Sequence, residues 1–531
     1  IYMAKKMIRL LSAALVLLLI LPSCSDGYKT DQTFRYILTQ SVTSLDPQTA
    51  KTEGERIVIN HLFEGLCRLD DTGQTIPGAA KKWKANNDNT VFTFTLRKNA
   101  CWNDGTPMTA DDFYFGIMRA LNPDTGASML EDLFLIKNAS LYNMGQASEE
   151  DVGIKVIDNE NIEFTLEAGY KDFPSLTAGT RFMPCNREFF EFTMGKYGID
   201  GSNTLTNGPF NFETEFTWEK NQYIYIQRAS KYNGPNVSQP LRVEFLLEDR
   251  DDTYENKLAS VISGSLDITE LDESDVEYAK ANKMTVKTLN DSVCGLLLNT
   301  EDDLLKNKPV RQVFMSTIDR QSVLSRFEQE ITEARGIVPM CVKWDERTYR
   351  DLSENMYAPY DGEIVSEIPD ILESFEIESA VIPTITVICP DDELSKNLST
   401  GIVKSWNSHL SNSFNLEPLS TDEFYTRLAD KNFQAALCYV SSDGVTPNSF
   451  FNKFTSKAVP TLMENPVYDE MLISGNFSIE RYKELEEFIK DEYVFYPFYY
   501  SYSHYAVNRK SNGIIASPDL GVNFIWAKKH D

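Results

Sequence analysis

The sequence predicts an α/β protein built from more than one lobe. Three observations carry that expectation. The chain has 531 residues, enough for roughly two to four domains with large buried cores. Short runs rich in β-branched and aromatic residues alternate with segments of helical period. No stretch rich in Gly, Ser or Pro divides the chain, so it is expected to cross between lobes more than once.

In chain order, strands are predicted at 34–38, 91–96, 162–166, 223–227, 241–247, 385–388 and 435–440. Helices are predicted at 54–64, 110–120, 310–319, 395–410 and 479–490. Between 380 and 440, a strand, a helix, a second helix near 421–429 and a strand have a βαβ look. Such units build a mostly parallel sheet.

The N-terminus carries an export signal. Lys5, Lys6 and Arg9 precede an apolar run over 10–21. About 12 residues are too few to span a ~30 Å hydrocarbon core, so residues 1–23 read as a secretory signal peptide. The run ends in Leu21-Pro22-Ser23-Cys24, which resembles a bacterial lipobox although Pro22 is unusual there. On that reading Cys24 takes the lipid and residues 24–33 form a polar tether. The alternative is an ordinary secretory signal with an incidental Cys. No later stretch approaches 18 apolar residues, so the remainder is expected outside the membrane.

Composition excludes several functions. A net charge of −28 repels phosphate backbones and disfavours nucleic acid. It equally disfavours a polybasic grip on a membrane surface. The eight Cys contain no C-x-x-C pair, and the four His have no partner at metal-ligand spacing. There is no G-x-S-x-G, G-x-x-x-x-G-K-[ST] or G-x-G-x-x-G. No catalytic residue, cofactor or metal is assigned. A glycosidase with two distant carboxylates remains open, because that pairing is spatial.

A series of short blocks runs along the chain: Ser44-Leu45-Asp46-Pro47, Leu62-Phe63-Glu64-Gly65-Leu66, Phe92-Thr93-Phe94-Thr95-Leu96-Arg97, Trp102-Asn103-Asp104-Gly105-Thr106-Pro107, Asn207-Gly208-Pro209-Phe210, Pro309-Val310-Arg311-Gln312 and Tyr493-Val494-Phe495-Tyr496-Pro497. In that order they resemble the oligopeptide- and dipeptide-binding lipoproteins, the family 5 solute-binding proteins of ABC peptide importers. The blocks themselves read as scaffold: a turn at 103–107, an N-cap at Thr109, and loop braces at Arg97 and Arg311.

The resemblance implies a periplasmic-binding-protein-like fold, with mixed β-sheets flanked by helices, two lobes, an extra domain and a hinge. Lobe I is expected from 34–56, 190–293 and 503–531, the extra domain from 57–189, and the other lobe from 294–502. It implies a monomer on the periplasmic or cell-surface side of a bacterial membrane, held by its lipid, that passes oligopeptides to a permease and its ATPase subunits. It places the ligand's α-amino group on Asp443. Ser41, Val42 and Thr43 flank the cleft on one lobe, and Ser441, Ser442 and Gly444 on the other. The alternative for Asp443 is a loop residue capping the turn before Gly444. The aromatic residue common before the family's binding Asp is replaced by Val440-Ser441-Ser442, which leaves the ligand open between peptide, muropeptide and another small solute. Cys294 and Cys438 fall near positions bridged in some relatives. A secreted hydrolase, or a lipoprotein acting as adhesin or sensor, are the readings from other classes.

Overall fold

The computed structural model describes residues 32–530, except 213, 215–216, 248–255, 326–330, 345–346, 354–365, 376–381, 411–412, 457, 459 and 474–477. The expected signal peptide over 1–23 and the expected lipidation site Cys24 lie outside the described residues. Among the described residues, no helix is long and apolar enough to cross a membrane.

Three main sheets organise the chain. In the first, strand Thr33–Leu38 runs parallel to Arg242–Leu247, and Tyr223–Arg228 joins antiparallel. Alternation sets its inner face, with Ile224, Ile226, Val243 and Phe245 buried. The second sheet is four-stranded and antiparallel, in the order Ala80–Ala85, Val91–Leu96, Asn161–Thr165, Ile154–Asp158. Phe92, Phe94 and Leu96 point into its core, where Phe94 meets Phe164 edge-on at 5.7 Å.

The third sheet explains how the lobes are joined. Its central strands, Thr285–Leu298 and Phe495–Val507, have 14 and 13 residues and pair antiparallel. At one end they pair through Thr285–Leu289 and Ser503–Val507, and Ile268–Leu271 adds to Phe495–Val507. At the other end Ser292–Leu298 pairs with both Phe495–Ser501 and Ala435–Ser441. Between these halves the register shifts, leaving Asn290 and Asp291 out of the ladder. An interruption of this kind bends a strand. Ser292 and Ser503 hydroxyls each donate to the Asp291 carboxylate at 3.0 Å, tying the two strands together there.

The α/β class stands, and two expectations change. The first and third sheets are mixed, as the resemblance implies, and the parallel pairing expected from the βαβ look is confined to the strands of 380–440 and does not extend through their sheet. Among the described residues, its parallel pairs are those that Thr386–Pro390 makes with Asn415–Leu419 and Ala435–Ser441. The strand Asn415–Leu419 stands between the two expected helices, Glu393–His409 and Thr421–Ala429.

The scaffold blocks behave as read. Gly105 has φ +99° in the turn after Trp102. Asp112 accepts from the Thr109 N–H at 2.7 Å, completing a capping box. Arg97 donates to Glu64 at 2.9 Å, and Arg311 to the carbonyls of Leu305 at 2.9 Å, Lys306 at 3.1 Å and Glu492 at 2.9 Å.

The Cys294–Cys438 bridge is corrected. Both thiols are free. Cys294 stands opposite Tyr439, and Cys438 opposite Gly295. Adjacent ladder positions point to opposite faces of a sheet, so no bond can join the two sulfurs.

Candidate functional site

The site begins at the helix Glu53–Leu62. Thr52 caps it, accepting from the Glu55 N–H at 3.1 Å. Glu55 in turn accepts from the backbone N–H groups of Lys51 at 2.7 Å, Thr43 at 3.0 Å and Ser44 at 3.1 Å, and from the Thr43 hydroxyl at 2.8 Å. Burial alone would raise its pKa, but these bonds outweigh burial and hold the carboxyl below its ordinary value. One buried carboxylate thus fastens the 43–52 loop to the helix and fixes where the next residue, Arg56, points.

Arg56 reaches Asp443 on the segment that follows strand Ala435–Ser441, with Nη2 3.7 Å from Oδ1. Lys453 holds the other oxygen at 2.5 Å. Burial opposes a charge on Asp443, but Lys453 first and Arg56 second outweigh it, so the carboxyl lies below its ordinary value. The segment is set locally. Ser442 donates through its hydroxyl to the Gly444 carbonyl at 2.6 Å and through its N–H to the Asp291 carbonyl at 2.9 Å. Thr446 caps the short helix Pro447–Phe451. Gly444 passes close to the C-terminal region. A Cβ there would stand 2.7 Å from Ser449 Oγ and 2.8 Å from Asp519 Oδ1, so a side chain would push those groups apart.

Asp443 lines a cavity of about 680 Å³, within the range of small-molecule sites. Its walls come from four parts of the chain: Arg56 on the N-terminal helix, Asp132, Tyr170 and Arg181 beside the four-stranded sheet, Asp443 with its following helix, and Asp519 near the C-terminus. Contacts cross it elsewhere too. The Asn448 amide donates to the Glu131 carbonyl at 3.2 Å, and the Tyr170 ring lies 5.2 Å from that of Trp344. Arg181 spends its guanidinium on carbonyls, those of Pro47 at 2.6 Å, Ser128 at 2.9 Å and Ala50.

Of the residues named from the sequence, Asp443 alone lines this cavity. Ser41 is exposed, and its carbonyl accepts from the Thr52 hydroxyl at 3.0 Å. Val42 is wholly buried in the core. Thr43 is occupied with Glu55. Ser441 shares a 2.8 Å hydrogen bond with Ser292, while Ser442 and Gly444 shape the backbone beside Asp443. Arg56, Lys453, Asp132 and Asp519 were not anticipated. Their spacing along the chain carries no signal, because only the tertiary fold gathers them. Among the described residues, no group of three or more His, Cys, Asp or Glu is placed to hold a metal ion.

Two lobes joined by a pair of long strands, with a polar cavity where they meet, define a solute-binding protein. The chain belongs to the bacterial extracellular solute-binding proteins, family 5, whose pattern matches residues 74–460. It is similar to the dipeptide-binding protein DppE of Bacillus subtilis, 24% identical over 504 residues that cover 92% of this chain and 90% of that one. Among solved structures it shares the fold of Listeria monocytogenes OppA bound to peptide. That match has a TM-score of 0.73 and 22% identity, over 94% of this chain and 100% of the other. The Escherichia coli murein tripeptide-binding protein MppA matches at 0.71, with 22% identity over 94% and 99% of the two chains. Its unliganded open form matches at 0.60, again 22% identical, over 94% and 98%.

Proposed function

We propose that this protein captures peptides outside the cytoplasm and hands them to an ABC permease, anchored to its membrane through a lipid on Cys24. The observation that carries the reading is Asp443, an ionised carboxylate on the wall of a cavity between segments that belong to different sheets. A peptide's α-ammonium is the natural partner for such a group, and capture of a terminal amine is a recurrent mode of peptide recognition. Arg56, at 3.7 Å, is the looser of its two cations and the one a ligand displaces, while Lys453 at 2.5 Å keeps the carboxylate charged. The interruption at Asn290 and Asp291 serves as the hinge. Closing there brings both walls onto the ligand, which favours the closed state because only that state makes both sets of contacts. The relatives named above for a dipeptide, for a bound peptide and for a murein tripeptide support a peptide as the cargo.

Native mass spectrometry of the protein as purified tests this directly. The expected result is a ladder of bound masses matching short peptides, released on unfolding. A single amino-sugar-containing mass would redirect the reading to muropeptides. An empty protein that ignores added peptides would overturn it.

A further inference from the structure

The chain's negative charge is not spread evenly. Residues 220–243 contain no Asp or Glu, and residues 505–530 contain one, Asp519, which lines the cavity, although 79 of the 531 residues are acidic. The fold lays these two stretches side by side, with the Gln239 N–H donating to the Ile525 carbonyl at 2.8 Å. The N-terminal strand enters between them. The Gln32 carbonyl accepts from the Leu241 N–H at 3.1 Å, the Gln32 side-chain oxygen accepts from the Lys529 N–H at 3.3 Å, and Thr33 stands opposite Arg242.

The cations around this entry point are of two kinds. Lys529 is paired with Asp267 at 3.0 Å, and Arg242 with Glu244 at 3.2 Å. Arg509, Lys510 and Lys528 are exposed and have no acidic partner among the described residues. They lie together, because Ser511–Asn512 pairs with Lys528–Lys529 and the His530 N–H donates to the Lys510 carbonyl at 2.8 Å. Arg228 gives its guanidinium to the carbonyls of Gln239 and Pro240, which leave its charge uncompensated. Leu241, beside Gln32, is exposed as well.

We propose that this face, formed by Arg509, Lys510, Lys528 and Arg228, lies against anionic phospholipid headgroups, so that the membrane holds the folded body as well as the lipid. This rests on the reading above that Cys24 is the anchor. From Cys24 to Gln32 the chain advances eight residues, which reach at most about 29 Å when fully extended. The anchor therefore presents this face to the headgroups. Residues 25–31 hold two Asp and one Lys, so the attraction comes from the folded face and not from the tether. The net charge of the whole chain opposes such a contact, but salt screens charges that lie more than about 8 Å away. A Lys or Arg within that distance of an anionic surface strengthens the hold roughly fivefold.

Acetylation of lysines with acetic anhydride, read residue by residue by mass spectrometry, tests it on the lipidated chain bound to vesicles. The vesicles are phosphatidylcholine alone, or phosphatidylcholine with about 30% phosphatidylglycerol. Lys510 and Lys528 are expected to react at least about fivefold more slowly on the anionic vesicles, and high salt should remove that protection. Lys404, exposed on the helix Glu393–His409, should keep its rate on both. Equal rates for Lys510 and Lys528 on the two vesicles, or equal slowing of Lys404, would overturn the inference and leave the anchor and peptide readings standing, with the face open to a protein partner. A chain that does not float with the neutral vesicles has no lipid anchor, and the inference falls with that reading.

Discussion

The two sides of the cavity handle buried charge in opposite ways. On one side, Asp443 is flanked by Lys453 and Arg56 and lies below its ordinary pKa. On the other, Asp132 faces Asp519 and is pushed up to about 6. The same side chain in the same cavity is stabilised as an anion by one wall and destabilised by the other. The Asn448 and Thr446 side chains offset only part of that cost at Asp132, because neither carries a positive charge. The contrast separates a carboxylate that two cations hold ionised from one that burial and a second carboxylate push towards its neutral form.

The largest effect should come from removing the satisfied carboxylate. Asp443→Ala is expected to lose about 2–5 kcal/mol of peptide affinity, because it leaves the ligand's ammonium beside two uncompensated cations. Titration calorimetry reads this directly, and unchanged affinity would refute the role of Asp443.

The next effect has the opposite sign. A rise from 3.8 to about 6 corresponds to at most about 3 kcal/mol for Asp132, and partial solvent contact reduces that to about 1–2. Because the folded pKa is raised, the cost sets in as pH climbs above 3.8 and is complete once pH passes about 6. Asp132→Asn should therefore be more stable than wild type to urea at pH 7.5, with the advantage shrinking as pH falls towards 4. A destabilised variant at pH 7.5 would remove the contrast between the walls.

Arg56→Gln should act more weakly still. A 3.7 Å pair between partly exposed side chains contributes on the order of 1 kcal/mol or less. Since a ligand displaces Arg56, its loss should tighten peptide binding by up to about fivefold, and weaker binding would contradict the displacement. The smallest expectation concerns the thiols. With Cys294 and Cys438 both free, intact mass after denaturing alkylation should be the same with and without prior reductant.

The scaffold was legible because it is local. The 103–107 turn, the Thr109 cap and the alternation of Phe92, Phe94 and Leu96 each report their conformation within a few residues. The two long strands were harder to read. Asn290 and Asp291 break the apolar pattern of Thr285–Leu298, and the aromatic run at 495–500 gives no alternation because both of its faces are buried. Those unreadable features are the ones that join the lobes. Asn415–Leu419 was missed for a similar reason, since Glu417 and Pro418 disguise a short strand at the edge of its sheet. In the site, Asp443 could be placed by resemblance, but its partners could not. Arg56 lies 387 residues away along the chain and Asp519 another 76 beyond Asp443, so only closure of the fold brings them together.

The central claim is that Asp443 receives the amino terminus of a peptide. Titrating one tetrapeptide with a free amino terminus, and the same peptide N-acetylated, isolates that contact without altering the protein. Binding of the free form at least about tenfold more tightly, with the difference abolished in Asp443→Ala, is the predicted result. Equal binding of the two forms to wild type would contradict it.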